Sequence, residues 1–312
     1  MHHLLNADGA PASKVMTASQ AVERYVTTGS VIGMGGQNIN RCPMALVHEV
    51  VRQGVGDLRV VGCNLSLPVD LLVAEGLVSA TEQGSANLER YGVLFCWRRA
   101  AEDGRIAVED YSHLSMATRF LAGAMGVPFM PTRSLVGTSV LAGLTGSGGP
   151  ARLVDDPWSD HQVVLLQART PDVSLIHATM ADTEGNVVVE GVTSHEVDMV
   201  RASAHTVVSA EQVLPAGAFA DDPERVTISG AYVSAVVEQP YGAWPTSVYR
   251  RYDYDDESIA GYQALARAGD EGPREWVAQH IHQLPHFDAY LETVDPDATR
   301  RTAMEAQMRR LT

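Results

Sequence analysis

A chain of 312 residues, 45% of them hydrophobic and 20% charged, is long enough for a large core and has the composition of an ordinary soluble globule. A formal net charge of −15 without any block of Lys and Arg excludes a nucleic-acid binder that works by neutralising phosphates, and no apolar run reaches the roughly 18 residues that a membrane span requires. Three scattered cysteines, Cys42, Cys63 and Cys96, are too few for a disulfide framework or a thiolate zinc site, so reduced thiols, a cytoplasmic setting and no bound metal are expected.

In chain order, "MHHLLNADGAPASK" has no apolar segment of the kind a secretion signal needs, and residues 1–13 are expected to form a flexible tail before a single domain over 14–312. Thr17 and Gln20 have capping-box spacing, so "ASQAVERYVTTG" predicts a helix ended by Gly29. "SVIGMG" is a short buried strand. Pro43 suits a first helical position, and Leu46, Val47, Val50 and Val51 give that helix an apolar face that stops at Gly54. "LRVVG" (58–62) predicts a strand, "VDLLVAEG" (69–76) a helix, "LVSAT" (77–81) and "YGVLF" (91–95) further strands, and "LSMATRFLAGAMG" (114–126) a helix. Strand and helix alternate through short links, which predicts α/β architecture: an open, mainly parallel sheet with helices on both faces.

"GLTGSGGP" (143–150) is the most linker-like stretch and marks a candidate boundary between lobes. Beyond it, "VVLLQ", "VSLIHA", "NVVVE", "HTVVSA" and "AYVSAVVE" are rich in β-branched residues and predict a β-rich extension. From about 256 onward three helical segments form a C-terminal cap.

"VIGMGGQNINRCP" (31–43) concentrates glycine at Gly33, Gly35 and Gly36. A dinucleotide turn would lead directly into a helix and be followed by an acidic residue after the next strand. Here the helix starts later and that strand ends "VVGCN". A phosphate-binding P-loop would need Gly-Lys-Ser/Thr, which is absent. The remaining reading is a turn at the carboxyl end of a parallel strand, with backbone N–H groups open to a ligand.

The same stretch, extended to "TGSVIGMGGQNINRCPMALVHEVVRQGVGDL", resembles the opening of the A (alpha) subunits of family I coenzyme A transferases, glutaconate CoA-transferase in particular. "GRIAVEDYSHLSMATRFLAGAMGVPFMPTRSLVGT", "PDVSLIHATMADTEGNVVVEG", "VVSAEQVLP" and "QPYGAWPTSVYRRYDYDDES" resemble later segments of that family, in order. The resemblance implies the fold shared by CoA transferases and some sugar-phosphate isomerases. It also implies a CoA thioester as substrate with no permanently bound cofactor, and a separate B subunit in an αβ or α2β2 assembly. The family's nucleophile is a glutamate in a Ser-Glu-Asn-Gly-type motif on the B side. No such motif occurs here, and "DTEGN" (182–186) belongs to the alpha-chain pattern.

The reaction needs donors aimed at the oxyanion of a tetrahedral intermediate, each worth about 3–4 kcal/mol. Gly33, Gly35 and Gly36 are candidates for that loop. His113, in "EDYSHLS", stands where the resembling transferases usually carry glutamine and related ring-cleaving CoA-ester hydrolases carry glutamate. An imidazole N–H can donate to an oxyanion, and its bare nitrogen can act as a base, so both roles stay open. Gln37, Asn38, Arg41, Ser85, Asn87 and Ser112 are candidate substrate contacts, with Arg41 placed to pair with a carboxylate or a CoA phosphate.

His280, His282 and His286 are interrupted by Pro285 and make a poor metal set, His177 reads as core or support, and the acidic "YDYDDE" run (252–257) reads as a solvated loop or subunit contact. The expected function is CoA transfer by the A (alpha) chain of a heteromer. The rivals are the equivalent chain of an acyl-CoA hydrolase or of a C–C bond-cleaving CoA-ester enzyme using His113, a non-catalytic scaffolding chain, and an isomerase relative that works alone.

Overall fold

The structure is a computed structural model describing residues 13–146 and 148–311; residues 1–12 of the tail expected at 1–13, Ser147 of the glycine-rich link and Thr312 lie outside the described residues. The first helix, α1 (Ala18–Tyr25), begins on the predicted box: Thr17 Oγ1 accepts the Gln20 N–H and Gln20 Oε1 accepts the Thr17 N–H. Strand and helix then alternate as β1 (Val31–Met34), α2 (Met44–Arg52), β2 (Leu58–Leu65), α3 (Leu67–Ala74), β3 (Val78–Ala86), α4 (Phe95–Glu102), β4 (Ala107–Asp110) and α5 (His113–Ala124). The middle of the chain gives β5 (Phe129–Thr132), α6 (Ser139–Leu144), β6 (Ala151–Asp155), β7 (Gln162–Gln167), β8 (Val173–Ala178), β9 (Met180–Asp182) and β10 (Val187–Val188). It closes with α7 (Glu196–Ala202), β11 (His205–Ala210), β12 (Val213–Leu214), β13 (Ala235–Glu238), α8 (Asp256–Ala268), α9 (Glu271–Val277), α10 (Phe287–Val294) and α11 (Thr299–Leu311).

Seven strands form one sheet in the order β13-β11-β8-β1-β2-β3-β4, every neighbouring pair parallel. All six residues of β8 are buried, as a strand covered on both faces requires. From β1 the chain first builds outward through β2, β3 and β4, then returns to β8 on the other side of β1. The boundary between β1 and β8 is therefore a topological switch point, and the crevice at such a point, outside the carboxyl ends of the strands, is where open α/β sheets take ligands.

One face of the sheet packs against α1 to α4 and the C-terminal helices, the other against α5, α7 and two three-stranded sheets, β5-β7-β6 and β10-β9-β12. Of the segments expected to form a β-rich extension, "VVLLQ" (β7) and "NVVVE" (β10) lie in these small sheets, whereas "VSLIHA" (β8), "HTVVSA" (β11) and "AYVSAVVE" (β13) join the main parallel sheet, which corrects that expectation. Leu144 and Ala151, on either side of the glycine-rich link, lie in the same apolar cluster as Met116 and Phe120 of α5.

Several expectations are corrected. "YGVLF" is a turn, and Phe95 opens α4. That helix has no cap of its own; Asp70 of α3 accepts the Trp97 N–H at 2.9 Å, so the cap comes from a distant residue that local spacing does not reveal. Pro43 precedes α2 as its cap residue, one position earlier than predicted. "NVVVE" contracts to the two residues of β10, "AYVSAVVE" to the four of β13, and β4 and α10 were not anticipated. The "YDYDDE" run is not a solvated loop: Asp253 and Asp255 are buried, and Arg300 of α11 holds Asp255 at 2.8 Å.

Candidate active site

At the carboxyl end of β1 the chain folds back on itself, with Gln37 and Asn40 paired and both Asn38 and Arg41 at φ 53°. The fold-back turns Arg41 inward, where it is 1% exposed. Its two terminal nitrogens reach the Glu196 carboxylate at 3.2 and 2.5 Å, and they also donate to the carbonyls of His177 and Val192. Glu196 Oε1 accepts the Gly36 N–H at 2.8 Å, while the Gly35 N–H goes to the Leu175 carbonyl at 2.9 Å.

This arrangement gives the glycines a packing reason. A Cβ on Gly33 would lie 2.4 Å from Ser174 Oγ, one on Gly35 2.7 Å from Ile176 Cγ2, and one on Gly36, whose φ is +88°, 2.9 Å from Cys42 Cα. The close approach is protein to protein. The N–H groups of Gly35 and Gly36 are donated within the protein, and the two terminal nitrogens of Arg41 are engaged by Glu196 and two carbonyls, while its buried Nε has no partner among the described residues.

Two strands away the site is open. β2 and β3 run in register with Asn64 beside Ser85, and Ser85 Oγ donates to Asn64 Oδ1 at 2.9 Å. His113, the exposed first residue of α5, places Nε2 3.0 Å from the same Ser85 Oγ. Gly84 permits this: a Cβ there would lie 2.5 Å from His113 Cδ2 and 2.8 Å from its backbone nitrogen. Buried Arg119 of α5 bonds buried Glu82 of β3 at 2.8 Å and anchors the helix over the strand. Ser112 caps the helix, accepting the Ser115 N–H and lying 2.6 Å from Ser134 Oγ.

Between this pair and the β1 loop sits His195, which no sequence motif singled out. Its Nε2 accepts the Cys63 N–H at 3.4 Å and its ring stacks on Phe120 with centroids 5.5 Å apart. Burial drives its pKa down to about 4, so the ring is neutral and supports the wall without titrating near neutrality. Burial likewise pushes the Cys42 thiol up to about 11 and the Cys63 thiol up to about 12, which removes both as nucleophiles.

Asn38 bonds Glu89 Oε1 at 2.5 Å and ties the β1 loop to the turn after β3. Asn87 shapes that turn by accepting the Glu89 N–H. Gln37 is half-buried beside the loop. His177 is sealed between Ser209 at 2.8 Å and Glu211 at 2.7 Å, consistent with support. His280, His282 and His286 take separate partners: the Trp276 carbonyl, Glu75 and the Ala289 N–H. Asn64, Gly84, His195 and Glu196 are thus added to the site and its walls. Only Asn64 carried a signal, as the polar end of "VVGCN" at the carboxyl edge.

The sequence profile of the coenzyme A transferase family matches residues 15–239. The chain belongs to that family. It is 34% identical to an Archaeoglobus fulgidus protein over 91% of its own length, and it spans 62% of that relative. It is 31% identical to the A (alpha) chain of glutaconate CoA-transferase from Acidaminococcus fermentans, over 89% of this chain and 91% of that one. The crystal structure of glutaconate coenzyme A-transferase from that organism superposes with a TM-score of 0.88 at 29% identity, covering 94% of this chain and 95% of the other. The decarboxylase AibA/AibB superposes with a TM-score of 0.75 at 28% identity, covering 85% of this chain and 99% of that one.

Proposed function

We propose that this chain is the A (alpha) chain of a heteromeric CoA transferase, with the nucleophilic glutamate on a B subunit. The observation that carries the reading is the exposed His113, braced by Ser85 at the carboxyl edge of the sheet, the edge at which such folds bind ligands, two strands from the switch point. Family membership and the naming of the glutaconate relative as one chain of a multi-chain enzyme support a CoA thioester substrate and a second chain.

In this scheme the partner's carboxylate attacks the thioester carbonyl and CoA leaves as its thiolate, giving an acyl-glutamyl anhydride. The thiolate then attacks the glutamyl carbonyl, which releases the first acid and leaves CoA on the enzyme as a thioester. An incoming carboxylate reverses both steps and takes the CoA. The positive end of α5 and the wall bearing His113 face the oxyanions formed on the way.

A second reading is favoured by the imidazole itself: an exposed ring can take a proton, and a decarboxylase shares this fold. In that reading the chain serves an acyl-CoA hydrolase or a C–C bond-cleaving CoA-ester enzyme. Product analysis on the chain co-purified with a B-type subunit separates the two. With acyl-CoA and a panel of dicarboxylic acids, a new acyl-CoA that depends on the added acid identifies the transferase. Free CoA or carbon dioxide without an acceptor identifies the second reading. Turnover by the lone chain would overturn the two-chain requirement. Unchanged turnover in His113→Ala would leave only a scaffolding role.

A further inference from the structure

One hydroxyl joins two partners in this site, and its single proton fixes the chemistry of both. Asn64 Oδ1 only accepts, so the Ser85 O–H at 2.9 Å points to it. Ser85 Oγ is then left with lone pairs, and the ring nitrogen 3.0 Å away, His113 Nε2, must be the donor. A neutral imidazole carries one N–H. With that proton on Nε2, Nδ1 is bare.

The ring's orientation agrees independently. Its Cδ2–Nε2 edge lies against β3, where only the missing Cβ of Gly84 leaves room. Nδ1 is on the opposite edge of an exposed residue and makes no hydrogen bond among the described residues. Asn64 and Ser85 are register partners on adjacent parallel strands, so the relay is set by the sheet and not by a loop.

We propose that Ser85 and Asn64 are positioning residues that hold neutral His113 as its Nε2–H tautomer and present Nδ1 to the cleft as a proton acceptor. The proposal rests on the reading that His113 faces a CoA ester, and it decides between the two roles that reading left open: the free nitrogen is a base, and the donor is already engaged. In hydrolysis, Nδ1 takes a proton from water as the water oxygen bonds to the thioester carbonyl carbon. The resulting imidazolium keeps its Nε2–H on Ser85. Collapse of the tetrahedral intermediate breaks the C–S bond, and the Nδ1 proton passes to the departing sulfur, giving acid, CoA thiol and the original tautomer.

The test is nitrogen-15 NMR of the full chain with labelled histidine, His113 being assigned by difference from His113→Gln. Which ring nitrogen carries the proton is read directly from the two shifts and their couplings to the ring protons. The Nε2–H form is expected in the wild type and in Asn64→Asp, whose carboxylate still accepts from Ser85. Ser85→Ala should admit the Nδ1–H form and lower kcat at least about tenfold with little change in KM. An Nδ1–H wild type, or a tautomer untouched by Ser85→Ala, would overturn the proposal. An Nε2–H wild type that shows no CoA-ester turnover even when co-purified with a B-type subunit would uphold the relay and sink the function reading alone.

Discussion

Arg41 and Glu196 form an ion pair with side chains 1% and 2% exposed, and the carboxylate also holds the Gly36 N–H. The pair closes the loop after β1 onto the first turn of α7. It therefore joins the two halves of the sheet at the switch point. Removing one member strands a buried charge, which costs about 3–5 kcal/mol, far more than losing an exposed pair.

Glu196→Gln and Arg41→Met should each lower the urea midpoint by an amount corresponding to that loss. The double variant Arg41→Met/Glu196→Leu should lose less than the sum, because no charge is left unpaired. A single Arg41→Met variant with unchanged stability and a raised KM for acyl-CoA would instead make Arg41 a substrate ligand.

Gly84→Ala tests the seat of His113. The added methyl meets the histidine backbone nitrogen at 2.8 Å and the Cys63 carbonyl at 2.9 Å, neither of which yields easily. Overpacking of this kind costs about 1–3 kcal/mol, and the start of α5 must shift, so turnover should fall together with stability.

Gly261→Ala, at an exposed position of α8 with nothing within 4 Å of the new methyl, should do the reverse. It should raise stability by about 0.5–1 kcal/mol and leave turnover unchanged, since a helix gains from alanine where space and φ permit. A thermal melt of both variants beside the wild type reads the contrast.

β1, β2 and β3 of the main sheet were legible because they are short apolar runs separated by helical periodicity, a local property; β8, β11 and β13 were legible as strands, but their place in the same sheet depends on long-range pairing across β1. His113 and Ser85 were legible as candidates, although they lie 28 positions apart and only the β3–α5 crossover brings them together. The packing partners of Arg41 and the glycines were not legible, for a related reason. Their partners, Glu196, Ser174 and Ile176, come from the far side of the switch point, and no spacing rule connects positions so distant in the chain. α4 escaped notice because its cap, Asp70, belongs to another helix.

Asp70 and two buried histidines set opposing acid responses. Burial raises the Asp70 pKa to about 6, so the native state holds its proton between the unfolded value of 3.8 and 6, and stability from this group falls as pH rises through that window. His195, lowered to about 4, does the opposite: its contribution is present above 6.5 and is lost as pH falls toward 4. His48, lowered well below 6.5 by burial among Phe287, Tyr290 and Trp276, acts in the same direction as His195. Shifts of this size correspond to about 3 kcal/mol each for Asp70 and His195. Two histidines against one aspartate leave the wild type losing stability as pH falls from 6.5 to 4. Asp70→Asn keeps an acceptor for the Trp97 N–H but removes the opposing group, so its urea midpoint should fall more steeply over that range. His195→Gln should flatten the profile toward balance between His48 and Asp70. A flatter profile in Asp70→Asn would show that Asp70 is ionised in the native state throughout, with Tyr262 and the start of α4 outweighing its burial.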